Sequence, residues 1–402
     1  MQSSADLASL SAAEAAELLG VKPQTLYAYA SRGLVRRVGS GKRRRYLLED
    51  LQRLLARQRA RNGHGAVAAA ALSFGEPVLD TRITAIDERG PLYRGRPAVE
   101  LALGGASFEA VAELLWTGSL PEAPPAWEAL AAPSSGLGAA RASLDELLLG
   151  MPLLARAASE RHSRAPGAEL RLARRLLRSF AELLVPPSAR AAGGSIAELV
   201  AHNAAASKAE AAAALELTLV LLADHELNAS SFAARVAAST DAQLFACFLA
   251  ALATLSGPRH GGACDRVEAL LDEAATLPRP HEVIERRTRR GDPVPGFGHP
   301  LYPHGDPRAV PLLGRARALG QRTGSLTRQL EPSFVLADLM REQGLPPTID
   351  FALVVLTRAL GMPPGAAALL FALGRSAGWV AHVLEQRGSD AVLRPRARYL
   401  GA

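Results

Sequence analysis

The chain has little cysteine, no long apolar run and, over most of its length, no surplus of either charge. Two cysteines in 402 residues, Cys247 and Cys264, exclude a disulfide framework and cannot build a thiolate zinc cage. No stretch reaches the roughly 18 uninterrupted apolar residues of a membrane helix. The longest run, Ala242 to Leu255, contains Gln243 and Thr254 and reads as a buried core helix. No basic segment followed by an apolar one opens the chain, and Glu14 and Glu17 argue against an acid-poor presequence. A cytoplasmic protein without a membrane segment is expected. Residues 1–62 hold twelve Lys/Arg against five Asp/Glu, a surplus equal to the net charge of +7 of the whole chain. The rest is therefore neutral in balance, and the basic part reads as a separate module facing a polyanion.

With 49 % hydrophobic and 21 % charged residues, the composition is that of a globular protein able to bury a large core, and the length suggests two or three domains. In the basic module Ser11 and Glu14 have capping-box spacing ahead of an apolar helix that Gly20 ends. Pro23 suits the first turn of a second helix through Tyr29. Gly39 and Gly41 permit a hairpin flanked by Arg43, Arg44 and Arg45, and a closing helix is expected from Leu48 to about Arg61. Two short helices and a basic wing in this order resemble the winged helix-turn-helix of MerR-like and excisionase-like DNA-binding domains. By that resemblance Gln24, Thr25 and Tyr27 are base-edge or phosphate candidates, and Arg43, Arg44 and Arg45 are phosphate candidates. A protein-interaction module with a solvated basic face is the alternative. The Gly/Ala-rich stretch from Asn62 reads as a linker.

Residues 79–101 contain short β-prone runs. Nearly everything beyond reads helical, so the fold is expected to be mostly α. Residues 118–140 suggest a long surface connection, and the Arg-rich 157–190 suggest exposed helices. Three segments concentrate unusual residues: DHELNAS (224–230), GPRHGGA (257–263) and GFGH (296–299) with DPR (306–308). His260 precedes two glycines, where backbone can approach a ligand closely. Asp350, in TIDF (348–351), stands in an otherwise apolar stretch. A carboxylate there needs a partner or becomes more basic. Singly, each histidine could be structural and Asp350 could be a helix cap.

In this order, and with GRSAGWVAH (374–382) and LRPRARY (393–399), these segments resemble the citrate synthase family from about Leu79 to Leu400. The resemblance implies large and small helical domains within 63–402, the small one at about 259–355, closing over the substrates after the helix-turn-helix domain of 1–62. It implies condensation of acetyl-CoA with oxaloacetate, followed by thioester hydrolysis to citrate and CoA. Asp350 would be the base, His260 the donor to the thioester oxygen, and His299 the group that polarises the ketone. Arg308, Arg375 and Arg394 would hold the oxaloacetate carboxylates beside His225, with Arg394 reaching in from the neighbouring subunit of a homodimer. Backbone from Val294 through Pro295, Gly296, Phe297 and Gly298 would hold CoA, with no metal or redox cofactor. Pro300 departs from the arginine of many bacterial relatives and removes charge near the expected CoA phosphates. A 2-methylcitrate synthase using propionyl-CoA, and a DNA-binding regulator that senses CoA esters or oxaloacetate without turnover, are the alternatives.

Overall fold

The computed structural model describes residues 9–31, 35–38, 45–47, 50–51, 79–123, 126–130, 143–163, 165, 167–190, 193–323 and 325–395. Two compact units divide the chain, residues 1–80 with 394–402, and residues 81–393.

In the first unit, strand β1 (Ser9–Ser11) leads into α1 (Ala12–Leu19), α2 (Pro23–Ser31), β2 (Arg37–Val38) and β3 (Arg45–Leu47). The capping box forms as the spacing predicts: Ser11 Oγ accepts the Glu14 N–H at 3.3 Å, and the Glu14 carboxylate accepts the Ser11 N–H at 2.8 Å. Gly20 ends α1 in the left-handed region, with φ of 60°, a conformation a side chain would strain. Ala15, Ala16, Leu19, Leu26, Val35 and Tyr46 form a small core. The strands pair antiparallel in the order β1-β3-β2. Strand β1, which composition did not suggest, closes this sheet. Asp50 takes a bidentate grip on the Arg36 guanidinium at 2.9 and 3.0 Å. Arg43, Arg44, the hairpin tip, most of the closing helix and the linker lie outside the described residues.

The second unit opens with an antiparallel sheet of β4 (Thr84–Asp87), β5 (Gly90–Tyr93) and β6 (Arg96–Pro97). Helices follow: α3 (Ala98–Leu103), α4 (Phe108–Thr117), α5 (Leu144–Ala157), α6 (Ala168–Glu182), α7 (Pro187–Arg190), α8 (Ile196–Val200) and α9 (Lys208–Leu222). Next come α10 (Ala229–Ala238), α11 (Leu244–Leu255), α12 (Ala263–Ala275), α13 (Glu282–Arg290), α14 (Ala309–Thr323), α15 (Ser325–Glu342), α16 (Ile349–Ala359) and α17 (Ala366–Arg387). The fold is mostly α, as periodicity predicts.

One expectation needs correction. Helix α6 is not a surface helix: Leu172, Leu176, Leu177 and Phe180 are buried, and Arg178 with them. Its arginines are spaced so that an apolar stripe survives between them, and Arg174 is used to pair Glu113 on α4 at 2.6 Å. The Ala242–Leu255 run is a buried core helix as expected, α11, and among the described residues α17 is a longer one. It has the length and composition of a membrane span, yet 94 % of its most apolar stretch is buried inside the protein. It packs against α4, α9, α10 and α11 as the central core helix. Two glycines let it approach α9. A Cβ on Gly374 would lie 2.6 Å from the Leu222 Cβ, and one on Gly378 would lie 2.2 Å from the Asp224 Oδ1, closer than real atoms pack. This approach brings Arg375 within 2.9 Å of the Leu222 carbonyl.

Candidate active site

The site grows from the ends of helices. Helix α9 stops at Leu222, and its last turn is gripped by the buried Tyr93 hydroxyl, 3.0 Å from the Val220 carbonyl and 3.2 Å from the Asp224 N–H. His225 follows at once. Its Nε2 lies 2.8 Å from the Tyr302 hydroxyl, and its ring centroid lies 5.8 Å from that of His299. The Tyr302 ring sits 5.0 Å from His299 and carries the Arg308 guanidinium over its face at 5.5 Å. His299 accepts the Leu301 N–H on Nδ1 at 3.1 Å. The neutral ring therefore carries its proton on Nε2, as a hydrogen-bond donor.

His260 is held from the opposite side. Its Nε2 lies 2.8 Å from Ser230 Oγ, which also accepts the Trp379 indole N–H at 3.0 Å and lies 2.7 Å from Asn228 Oδ1. The Phe371 ring is shared: it meets His260 edge-on at 6.1 Å and carries the Arg375 guanidinium at 5.0 Å. Burial and then the Arg308 and Arg375 charges hold His225 well below its ordinary range. Burial brings His260 down to about 4 and lowers His299, with Arg308 adding to the effect. All three imidazoles are neutral at pH 7, and neutral imidazole can donate to a carbonyl oxygen without adding charge.

Asp350 is in the first turn of α16, where exposed N–H groups favour a carboxylate. Burial nonetheless raises its pKa. Its Oδ2 lies 3.4 Å from the Thr348 hydroxyl and its Oδ1 lies 3.8 Å from Cys264 Sγ. Two backbone bonds tie its loop to the GFGH loop: Gly298 N–H to the Pro346 carbonyl, and Thr348 N–H to the Gly296 carbonyl, each 2.9 Å. Gly296 has φ of 89°, and a Cβ there would lie 2.9 Å from Val267, so only glycine fits. The adjacent Phe297 ring packs 4.6 Å from Phe351, and Val294 rests on the core. Arg308, which is buried, is held by both oxygens of Asp306 at 2.8 and 2.9 Å.

His225, His260, His299, Arg308, Arg375 and Asp350 thus form one linked cluster. Arg394 is exposed and falls in the other compact unit, so the cluster within 81–393 is assembled without it. Tyr302, Ser230, Trp379 and Asp306 were not singled out from the sequence, although each lies within or beside a quoted motif, and Cys264 was named only for the cysteine count. A separate cavity of about 1070 Å³, lined in part by Leu101, Trp127 and Arg178, shares no residue with this cluster.

A mostly helical core that converges three half-buried histidines, two buried arginines and a half-buried carboxylate at its helix ends has the architecture of the citrate synthase type. The chain belongs to the citrate synthase family: the family model described as citrate synthase, C-terminal domain, matches residues 73–396. A helix-turn-helix domain model matches residues 9–59. Citrate synthase 2 of Bacillus subtilis is 36 % identical over 189 residues, 47 % of this chain and 50 % of the relative. The chain therefore matches about half the length of that curated relative. The 2-methylcitrate synthase of Mycobacterium tuberculosis is 31 % identical over 360 residues, 81 % of this chain and 88 % of the relative. Among solved structures, the Thermoplasma acidophilum citrate synthase in ternary complex with carboxymethyl coenzyme A and oxaloacetate has a TM-score of 0.70 at 25 % identity, covering 82 % of this chain and 95 % of that one. Thermotoga maritima citrate synthase has a TM-score of 0.65 at 27 % identity, covering 82 % and 94 %.

Proposed function

We propose that the chain condenses a short acyl-CoA with oxaloacetate and hydrolyses the product thioester, releasing CoA. The observation that carries this reading is Asp350: a half-buried carboxylate of raised basicity, in a loop fastened by two backbone bonds to the loop of His299. Protons beside a thioester are weakly acidic, so a base must act together with a donor on the carbonyl oxygen. Asp350 removes the proton, and His260 donates to the thioester oxygen through Nδ1, with the Ser230 hydroxyl turned to donate to its Nε2. The resulting enol carbon attacks the ketone of oxaloacetate, and His299 donates through Nε2 to the ketone oxygen as it becomes an alkoxide. Water then cleaves the thioester, giving the tricarboxylate and the free thiol of CoA. Arg308, Arg375 and His225 take the oxaloacetate carboxylates, with Arg394 reaching in from the second subunit of a homodimer. The backbone from Val294 to Gly298 takes CoA.

Acetyl-CoA is the donor we favour. Propionyl-CoA is the second reading, supported by the 2-methylcitrate synthase relative that matches most of this chain. One methylene separates them, worth about 1–3 kcal/mol in a pocket. Asp350→Ala should abolish turnover while oxaloacetate still binds; retained turnover would overturn the assignment of the base.

For the N-terminal unit we propose DNA binding. Gln24 and Tyr27 are exposed on α2, and Arg45 is exposed on β3. Replacing Arg43, Arg44 and Arg45 together should weaken binding at low salt and flatten its salt dependence. Absence of any salt-dependent binding by the unaltered protein would contradict the proposal and return the unit to a protein-interaction role. A regulator without turnover would not need the base, and Asp350 is in place.

A further inference from the structure

Cys264 is the second residue of α12 and Asp350 the second residue of α16, and the two helices pack together. Cys264 is fully buried, and its Sγ lies 3.8 Å from Asp350 Oδ1. The other oxygen of the carboxylate faces the Thr348 hydroxyl at 3.4 Å. Each oxygen of the base therefore has one side-chain donor, and lone pairs remain to take up a proton.

We propose that Cys264 is a positioning residue for the proton transfer: its S–H orients Oδ1 of Asp350 and sets how basic that carboxylate is. This rests on the reading of Asp350 as the base. A thiol is a weak donor. A serine hydroxyl is a stronger donor on a shorter bond; drawn in to Oδ1 by a small shift of α12, it would stabilise the carboxylate and weaken the base. A methyl would leave Oδ1 bare in an apolar wall and make the base stronger but less constrained. The thiol lies between these limits. The charged groups that act on the same carboxylate are the Arg308 cation and the Asp306 anion, and Arg375 on α17 feels its charge in turn. Burial and the nearby acids Asp350, Asp265 and Glu268 keep the thiol protonated and so a donor.

The test is the pH profile of kcat/KM for acetyl-CoA and propionyl-CoA at saturating oxaloacetate, in the full-length protein and in Cys264→Ser, Cys264→Ala and Asp350→Asn. The expected order of the acid limb is Ser below Cys below Ala. The Ala limb should rise by about half a unit to one unit, as loss of a bond to the charged form requires. The KM for oxaloacetate should change by less than about twofold, since it reports contacts that these variants leave alone. Coincident limbs, or a lower plateau without displacement, would reduce Cys264 to a space-filling role and overturn the proposal. Should the Ala variant fail to fold, the Ser variant against the unaltered protein reads the sign alone. Asp350→Asn separates the two failures. Its loss of turnover with coincident cysteine limbs sinks only the role of Cys264, whereas its retained turnover sinks the reading of Asp350.

Discussion

The Asp306 carboxylate accepts the Ile349 N–H at 3.0 Å while it grips Arg308 through both oxygens. One side chain thus joins the segment that carries Arg308 to the first residue of the helix that carries Asp350. The Arg308 charge holds the Asp306 pKa down against the effect of burial, and both side chains are essentially inaccessible. The pair fixes the distance between the guanidinium proposed to hold oxaloacetate and the proposed base.

Asp306→Ala should therefore be severe. Removing one partner of a buried ion pair leaves the other charge uncompensated, at a cost of about 3–5 kcal/mol. The expected outcome is a fall of that size in chemical unfolding, with a raised KM for oxaloacetate in whatever folds. A loss below about 1 kcal/mol, the usual worth of an exposed pair, would show that water reaches Arg308.

Ser230 sits at the meeting point of His260, Trp379 and Asn228. Ser230→Ala leaves the buried Trp379 N–H without its acceptor, which costs about 1–3 kcal/mol. It also frees the His260 ring, so kcat should fall by about ten- to a hundredfold. The KM for oxaloacetate should barely move. Steady-state kinetics separates these, and an unchanged kcat would remove Ser230 from the account of how His260 is aimed.

Glu216 on α9 gives a signed pH dependence. Burial, and then the neighbouring Glu109, push its carboxyl up to about 7 from the ordinary 4.5. It accepts the Phe108 N–H, an acceptor role that glutamine preserves. Between pH 4.5 and 7 the folded state binds more protons than the unfolded one. Its contribution to stability is thus fully present below pH 4.5 and is lost as pH rises through 7. Glu216→Gln should gain about 2 kcal/mol more over the unaltered protein at pH 8 than at pH 5.5, by the linkage of pKa to stability. Denaturant midpoints at the two pH values measure it, and an equal gain at both would mean that the carboxyl is not shifted.

Much of this was legible locally. The Ser11 capping box, Pro23 at the start of α2 and the 84–97 strands are short-range signals, readable from spacing and residue type. His225, His260, His299 and Asp350 stood out as unusual residues in their motifs, and only the order of those motifs, through the family resemblance, tied them to one site. The pairings that aim these groups were not. Tyr302 meets His225 from 77 residues away, and Trp379 meets Ser230 from 149 away, and no periodicity encodes such contacts. Helix α6 misled for a related reason: counting arginines hid the apolar stripe between them. Gly374 and Gly378 were visible only as small residues in a motif. Their role as the notch that admits Leu222 and Asp224 emerges only once α17 lies against the end of α9.

The most direct measurement is release of the CoA thiol by the purified protein with oxaloacetate, comparing acetyl-CoA with propionyl-CoA. Oxaloacetate-dependent release is the predicted result, and the ratio of the two kcat/KM values names the donor. No release with either donor, from protein that is folded and dimeric, would contradict the account and favour a ligand-sensing regulator.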